Sequence, residues 1–139
     1  MFVLKVNPLP SEDIMANTIV WVDIPVEDMD RARAFYSAVL QTPIELMDGA
    51  NGDVALLPME PGDASGDLVK SAENKPSLTG ATVYLDSKGD PEGMMERAAA
   101  SGGRILRPVA YMGEMVGSIG YFQDSEGNRI GVHKPPEMG

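Results

Sequence analysis

The sequence predicts an α+β domain built from two copies of a strand–helix–strand–strand–strand (βαβββ) module. Three observations carry that prediction. The strand-like run Val20-Trp21-Val22-Asp23 returns as Val83-Tyr84-Leu85-Asp86, about 63 residues further on. Each copy leads into an acidic helix cap and an amphipathic run, Asp28 in the first and Asp90 in the second. Three short segments of strand character follow each run.

Ile19 to Ile24 reads as the first strand, with Val20, Val22 and Ile24 on one face and Trp21 and Asp23 on the other. Pro25 ends its ladder. From about Met29 to Leu40, Ala32, Phe35, Tyr36, Val39 and Leu40 form the apolar stripe of a helix. Ile44–Met47, Val54–Leu57 and Leu68–Val69 are the next strands, and Asp48 to Asp53 has hairpin chemistry. Met59 to Gly66, rich in Pro, Gly, Asp and Ser, reads as loop, and Ser71 to Thr79 as the connector between modules.

Ala81 to Asp86 opens the second module. Pro91 and Glu92 suit the first turn of a helix whose apolar side is Met94, Met95, Ala98 and Ala99, and Gly102-Gly103 stops it. Arg104 to Tyr111 is a strand broken at Pro108, Met112 to Val116 a turn, and Ser118–Phe122 and Arg129–His133 the last strands. Between those two, Asp124, Ser125, Gly127 and Asn128 supply a tight turn. Residues 1–16 read as an N-terminal extension, 17–72 and 79–134 as the modules, and 135–139 as a tail.

Eleven Lys and Arg against 21 Asp and Glu give a formal charge of −10, which argues against nucleic acid and anionic membrane as partners. The chain has no cysteine, so neither a disulfide framework nor thiolate chemistry is available. No apolar run approaches the roughly 20 residues that span a bilayer. The first residues lack a basic and apolar signal pattern, and a cytoplasmic location is expected. Met15 opens a better-patterned segment, so residues 1–14 read as a short extension or an alternative start.

Pro25-Val26-Glu27-Asp28-Met29-Asp30-Arg31-Ala32 enters a helix carrying Phe35-Tyr36, Ala100-Ser101-Gly102-Gly103 closes the second helix, and Phe122-Gln123-Asp124-Ser125-Glu126-Gly127-Asn128-Arg129-Ile130-Gly131 spans the last turn. In this order and spacing, residues 17–134 resemble the vicinal oxygen chelate superfamily of glyoxalases, extradiol dioxygenases, and fosfomycin and bleomycin resistance proteins. The resemblance implies two βαβββ modules in one domain, with curled mixed sheets enclosing a cavity and helices on the outside. It also implies a homodimer. In the superfamily's enzymes, His and Glu from four strands hold one divalent metal that bidentate oxygen substrates chelate. Carried onto this chain, those positions fall on Trp21, on Thr82 or an immediate neighbour, on Gly131, and near Ala55 or Leu57. None is a credible ligand for Zn²⁺, Fe²⁺ or Mn²⁺, which take imidazole and carboxylate. The fold therefore carries over and the metal site does not. No cofactor is expected, a divalent metal at other residues being left open.

His133, the only histidine, shares a strand face with Gly131. It reads as a cavity-wall base or, more plainly, as a rim residue bonded to backbone or water. Asp23 is its candidate orienting partner. Trp21 and Tyr84 lie opposite the aliphatic faces of their strands, as walls of a ligand site or as filling. Gly131 makes room for a ligand or for Trp21. Met112 and Met115 make the 111–117 loop adaptable. The leading function is metal-free binding of a small molecule, with the net charge favouring a cationic or amphipathic one. The alternatives are a lyase- or dioxygenase-like enzyme using unorthodox metal ligands or His133 as a base, and a non-catalytic interaction subunit with a vestigial cavity.

Overall fold

Alternation of apolar and polar residues along each strand decides which face of each sheet the helices cover. The computed structural model describes residues 18–137, so the expected extension at 1–16 and the last two tail residues lie outside the described residues. The first module runs β1 (Trp21–Pro25), α1 (Met29–Leu40), β2 (Glu45–Leu46), β3 (Val54–Leu56) and β4 (Ser65–Val69). The second runs β5 (Val83–Asp86), α2 (Pro91–Ala100), β6 (Arg104–Tyr111), β7 (Ser118–Gln123) and β8 (Arg129–Lys134). Each module forms a four-stranded mixed sheet, in the orders β1-β4-β3-β2 and β5-β8-β7-β6. In each, the first and last strands pair in parallel and the others antiparallel. Neither sheet closes into a barrel, and no helix among the described residues is long and apolar enough to cross a membrane.

Asp28 caps α1 by accepting from the Arg31 N–H, and Asp90 caps α2 by accepting from the Gly93 N–H. At the other end of α2, the Gly103 N–H donates to the Ala98 carbonyl while Gly102 takes a φ of 108° that L side chains avoid. Ala32, Phe35, Tyr36 and Val39 of α1 and Met94, Met95 and Ala98 of α2 are buried against Ile24, Leu68, Phe122, Ile130 and Val132. Phe35 meets Tyr36 edge-on with centroids 5.0 Å apart and Phe122 at 5.8 Å, so both modules feed one core.

Several expectations need correction. Ser65 and Gly66 belong to β4, not to a loop, because Gly66 lets its backbone lie against Val22 of β1. Val20 precedes β1 and is exposed, so it does not pack on a helix, and Ala99 is likewise exposed on the outer side of α2. Pro25 still pairs with Val69, as a β1 edge position that needs no donor. Pro108 does not interrupt β6, which instead absorbs it through register shifts between Ile105 and Arg107 and between Arg107 and Ala110.

The turn between β7 and β8 ties the modules together. Asp124 accepts from the Glu126, Gly127 and Asn128 N–H groups, from the Asn128 amide and, at 2.5 Å, from the Tyr36 hydroxyl. Burial beside that carboxylate pushes the Tyr36 phenol well above its usual range. Glu126 accepts from the Glu27 and Asp28 N–H groups at the entry to α1 and from both Nε and Nη2 of Arg31. The Asn128 amide also donates to the Pro25 carbonyl.

Burial alone would raise the Glu126 carboxyl. The Arg31 guanidinium, the two N–H donors and the Ser125 hydroxyl outweigh it and hold the group at about 2, against 4.5 unperturbed. A depressed carboxyl stabilises the fold above its unfolded pKa, and the benefit is lost as pH falls from about 4.5 through about 2. The linkage is worth roughly 3 kcal/mol at neutral pH. Glu126→Gln is expected to lose about that much in denaturant unfolding at neutral pH, with the gap narrowing on acidification. A gap that stays constant with pH would refute the charge-linked account.

Candidate functional site

The faces that the helices leave uncovered carry the chemistry-bearing side chains. On the first sheet, Trp21 pairs with Ser65, and Asp23 with Asp67, which in turn pairs with Leu56. These side chains lie opposite the buried Ile24, Leu68 and Ala55. On the second sheet, Tyr84 pairs with Gly131 and Asp86 with His133, while Tyr121, Arg129 and Gln123 share that face, opposite Phe122, Ile130 and Val132. The Val26 N–H donates to the Val69 carbonyl as the Ser87 N–H does to that of His133, which matches Trp21 with Thr82, Asp23 with Tyr84, Ser65 with Arg129 and Asp67 with Gly131 in the two modules.

Thr82 lies just before β5, and its hydroxyl accepts from Arg129 Nη1 at 2.7 Å. Gly131 makes room for Tyr84, not for Trp21: a Cβ there would come within 2.3 Å of the Tyr84 ring. Ala55 is buried on the helix-covered face and Leu57 packs against the core, so neither projects where a ligand set could form. The open-face residues of β4, the strand beside β1, are Ser65 and Asp67.

Asp23 and His133 are not joined by any ion pair or hydrogen bond. His133 Nε2 instead lies 2.7 Å from the Val116 carbonyl, where it holds the 112–117 turn. Asp23 meets a second carboxyl, Asp67, whose residue is only 8% exposed and whose Oδ1 has no hydrogen-bond partner. Burial and then the neighbouring Asp23 raise Asp67 from 3.8 to about 6, and the Trp21 indole offsets this in part. A carboxyl that holds its proton near neutrality can donate or accept one.

The second open face has a different character. The Tyr84 and Tyr121 hydroxyls are 2.6 Å apart, with ring centroids at 5.8 Å. Their shared bond is the main cause that raises the Tyr84 phenol. Arg129 stacks 4.0 Å from the Tyr121 ring centre and Arg107 lies at 5.9 Å. Arg104 donates to Gln123. A cleft of about 550 Å³ between the modules, lined by Val22, Leu57, Leu85, Met94 and Arg97, reaches this region at Ser65, Tyr84 and Asp86.

The donor set does not fit the superfamily's metal. The positions carried over from it present the Trp21 indole, the Thr82 hydroxyl and the bare Gly131, none of which is a ligand of choice for a catalytic divalent ion. Among the described residues no three His, Asp or Glu side chains converge.

Asp67 escaped sequence reasoning because Gly62 to Gly66 has loop composition. The signal was the alternation Ser65, Asp67, Val69 leading into Leu68-Val69. Arg129 was within reach, since it alternates with Gly131 and His133, whereas Tyr121 and Arg107 depend on strand register.

Two parallel-closed βαβββ sheets backed by helices, with their chemistry on the open faces, define a two-module chelate-type fold. Residues 18–132 match the family model of the Glyoxalase/Bleomycin resistance protein/Dioxygenase superfamily, and the chain belongs to that superfamily. It is 29% identical over 129 residues to a glyoxylase-like domain-containing protein from Didymella fabae, covering 88% of this chain and 98% of that protein. A glyoxalase/bleomycin resistance protein from Albidiferax ferrireducens superposes with a TM-score of 0.68 at 18% identity, covering 84% of this chain and 98% of that one. A glyoxalase-related enzyme from Fulvimarina pelagi does so with a TM-score of 0.61 at 15% identity, covering 85% and 88%. At these identities the two structures share the fold.

Because Asp67 is raised, its stability contribution is present below 3.8 and lost as pH rises through about 6. Asp67→Asn removes the buried charge, so it should melt several degrees above the parent in alkaline buffer and close to it in mild acid. Thermal denaturation across that range checks this, and no gain at alkaline pH would contradict it.

Proposed function

We propose that the chain binds a small organic molecule on the open faces of its sheets, without the divalent metal of the superfamily's enzymes, and that a second copy of the chain covers those faces. The observation that carries this reading is the uncovered aromatic surface: Trp21 is 40% and Tyr84 46% exposed, on sheet faces that no helix protects. Exposed Leu56, Met112 and Met115 extend that surface with adaptable apolar contacts. The cleft beside Tyr84 falls within the size range of small-ligand sites, roughly 300–1,000 Å³. The non-fitting donor set supports the metal-free part.

A second reading, an enzyme, is favoured by one observation, the Asp23–Asp67 carboxyl pair. In it the proton-transfer role falls to Asp67, since the His133 ring is engaged by the Val116 carbonyl.

Trp21 is the only tryptophan, so its emission reports on the first open face directly. Sedimentation and fluorescence together are expected to show a concentration-dependent dimer with a blue shift. Chelator-treated protein should still respond to members of an aromatic ligand panel. A protein that stays monomeric and silent, or one that needs a stoichiometric transition metal to bind, would overturn the reading.

A further inference from the structure

Arg104, Arg107 and Arg129 all belong to the second sheet and none of them reaches a carboxylate among the described residues, although the chain carries 21 Asp and Glu against 11 Lys and Arg. In so acidic a chain, unpaired arginines side by side are the exception that calls for a physical reason. Of the open-face carboxylates, Asp23, Asp67 and Glu45 lie on the other sheet, and Asp86 on this one is paired with Lys88.

Arg129 is held for a purpose other than pairing. Its Nη1 donates to Thr82 and its plane lies over Tyr121, which leaves Nε and Nη2 without an acceptor among the described residues. Arg107 has no side-chain hydrogen-bond partner among the described residues, while stacking more loosely on the same ring. The two phenols share one hydrogen bond but own two hydrogens, so one O–H remains to donate outward. Gly131 lets the Tyr84 ring lie directly against the strand.

We propose that this face is an anion site for an aromatic acid: a planar ring lies against Tyr84 at the mouth of the cleft, and its carboxylate or equivalent oxyanion is taken by Arg129, Arg107 and the free phenol hydrogen. This deepens the ligand-binding reading and rests on it. It also reverses the charge expected from composition. The net charge of −10 describes the chain as a whole, whereas a ligand at contact distance responds to the charges within about 8–10 Å, and here the guanidinium groups lack carboxylate partners while the nearby Asp86 is paired with Lys88. Planar, forked donors next to aromatic rings suit a flat carboxylate better than a lysine cluster would.

Benzoate, benzamide and benzamidine share one ring and differ in charge, so they separate the two ideas. The measurement is a nuclear magnetic resonance titration that follows arginine Nε–H and tyrosine ring signals in the full chain. Benzoate should bind about tenfold or more tighter than benzamide, with benzamidine weakest. The preference should shrink with added salt and disappear in Arg129→Gln and Arg107→Gln, while benzamide binding persists in both. If the three compounds bind equally in the parent, ligand binding stands and the anion site is refuted. Stronger binding of benzamidine refutes it as well. If no compound binds while the arginine signals shift only with protein concentration, the face is occupied by the acidic sheet of a second copy, and both the anion site and the small-molecule reading fail. Should Arg129→Gln lose its fold by circular dichroism, Arg107→Gln alone decides, because Arg107 makes no hydrogen bond whose loss could unfold the chain.

Discussion

The structure depends on the buried carboxylates of one turn. Asp124 and Glu126 sit at the end of the chain's last hairpin, yet their partners include the entry and the middle of the first helix, 88 to 99 residues earlier in sequence. Neither could be buried as an ion without those donors, since an uncompensated charge in a core costs several kcal/mol. Conversely, the orphan N–H groups at the start of α1 have no intrahelical acceptor and need one from outside. Two deficits in distant segments are satisfied by one contact, and the orientation of the first helix against the second module follows from it.

With that clasp in place, the helix-facing side of both sheets is fully determined. Ile24, Leu68, Phe122, Ile130 and Val132 are packed against α1 and α2, and a substitution there leaves a cavity or a clash. No comparable demand falls on the opposite faces. They are free to hold groups that the core would reject, the Asp23 and Asp67 carboxyls on one sheet and the Arg107 and Arg129 guanidinium groups on the other.

The fold was legible because its signals are local. Helix caps at Asp28 and Asp90, the apolar stripe of α1 and the turn at 124–128 each depend on neighbours in sequence, and all lie where the residues suggest. The recurrence of one tetrapeptide supplied the repeat. The candidate site was legible only in part, because a sheet face is assembled from strands far apart in the chain. Gly131 and His133 could be put on one face by alternation. That Tyr84 lies over Gly131, or that His133 meets Val116, depends on register and on the course of a loop, neither of which the residues announce. The β4 strand shows the opposite failure: Ser65-Gly66-Asp67 has the composition of a turn, and pairing with β1 overrides it.

The repeat has one more consequence. A lone module that closed a site by pairing with its own copy would be bound by two-fold symmetry, presenting every residue twice and meeting each charge with its like. Carrying both halves in one polypeptide lifts that restriction. Trp21 could differ from Thr82, Asp23 from Tyr84, and Asp67 from Gly131, at positions that the backbone still treats as the same. A recognition surface whose two sides differ in shape and charge is open only to a chain in which the two halves are encoded separately.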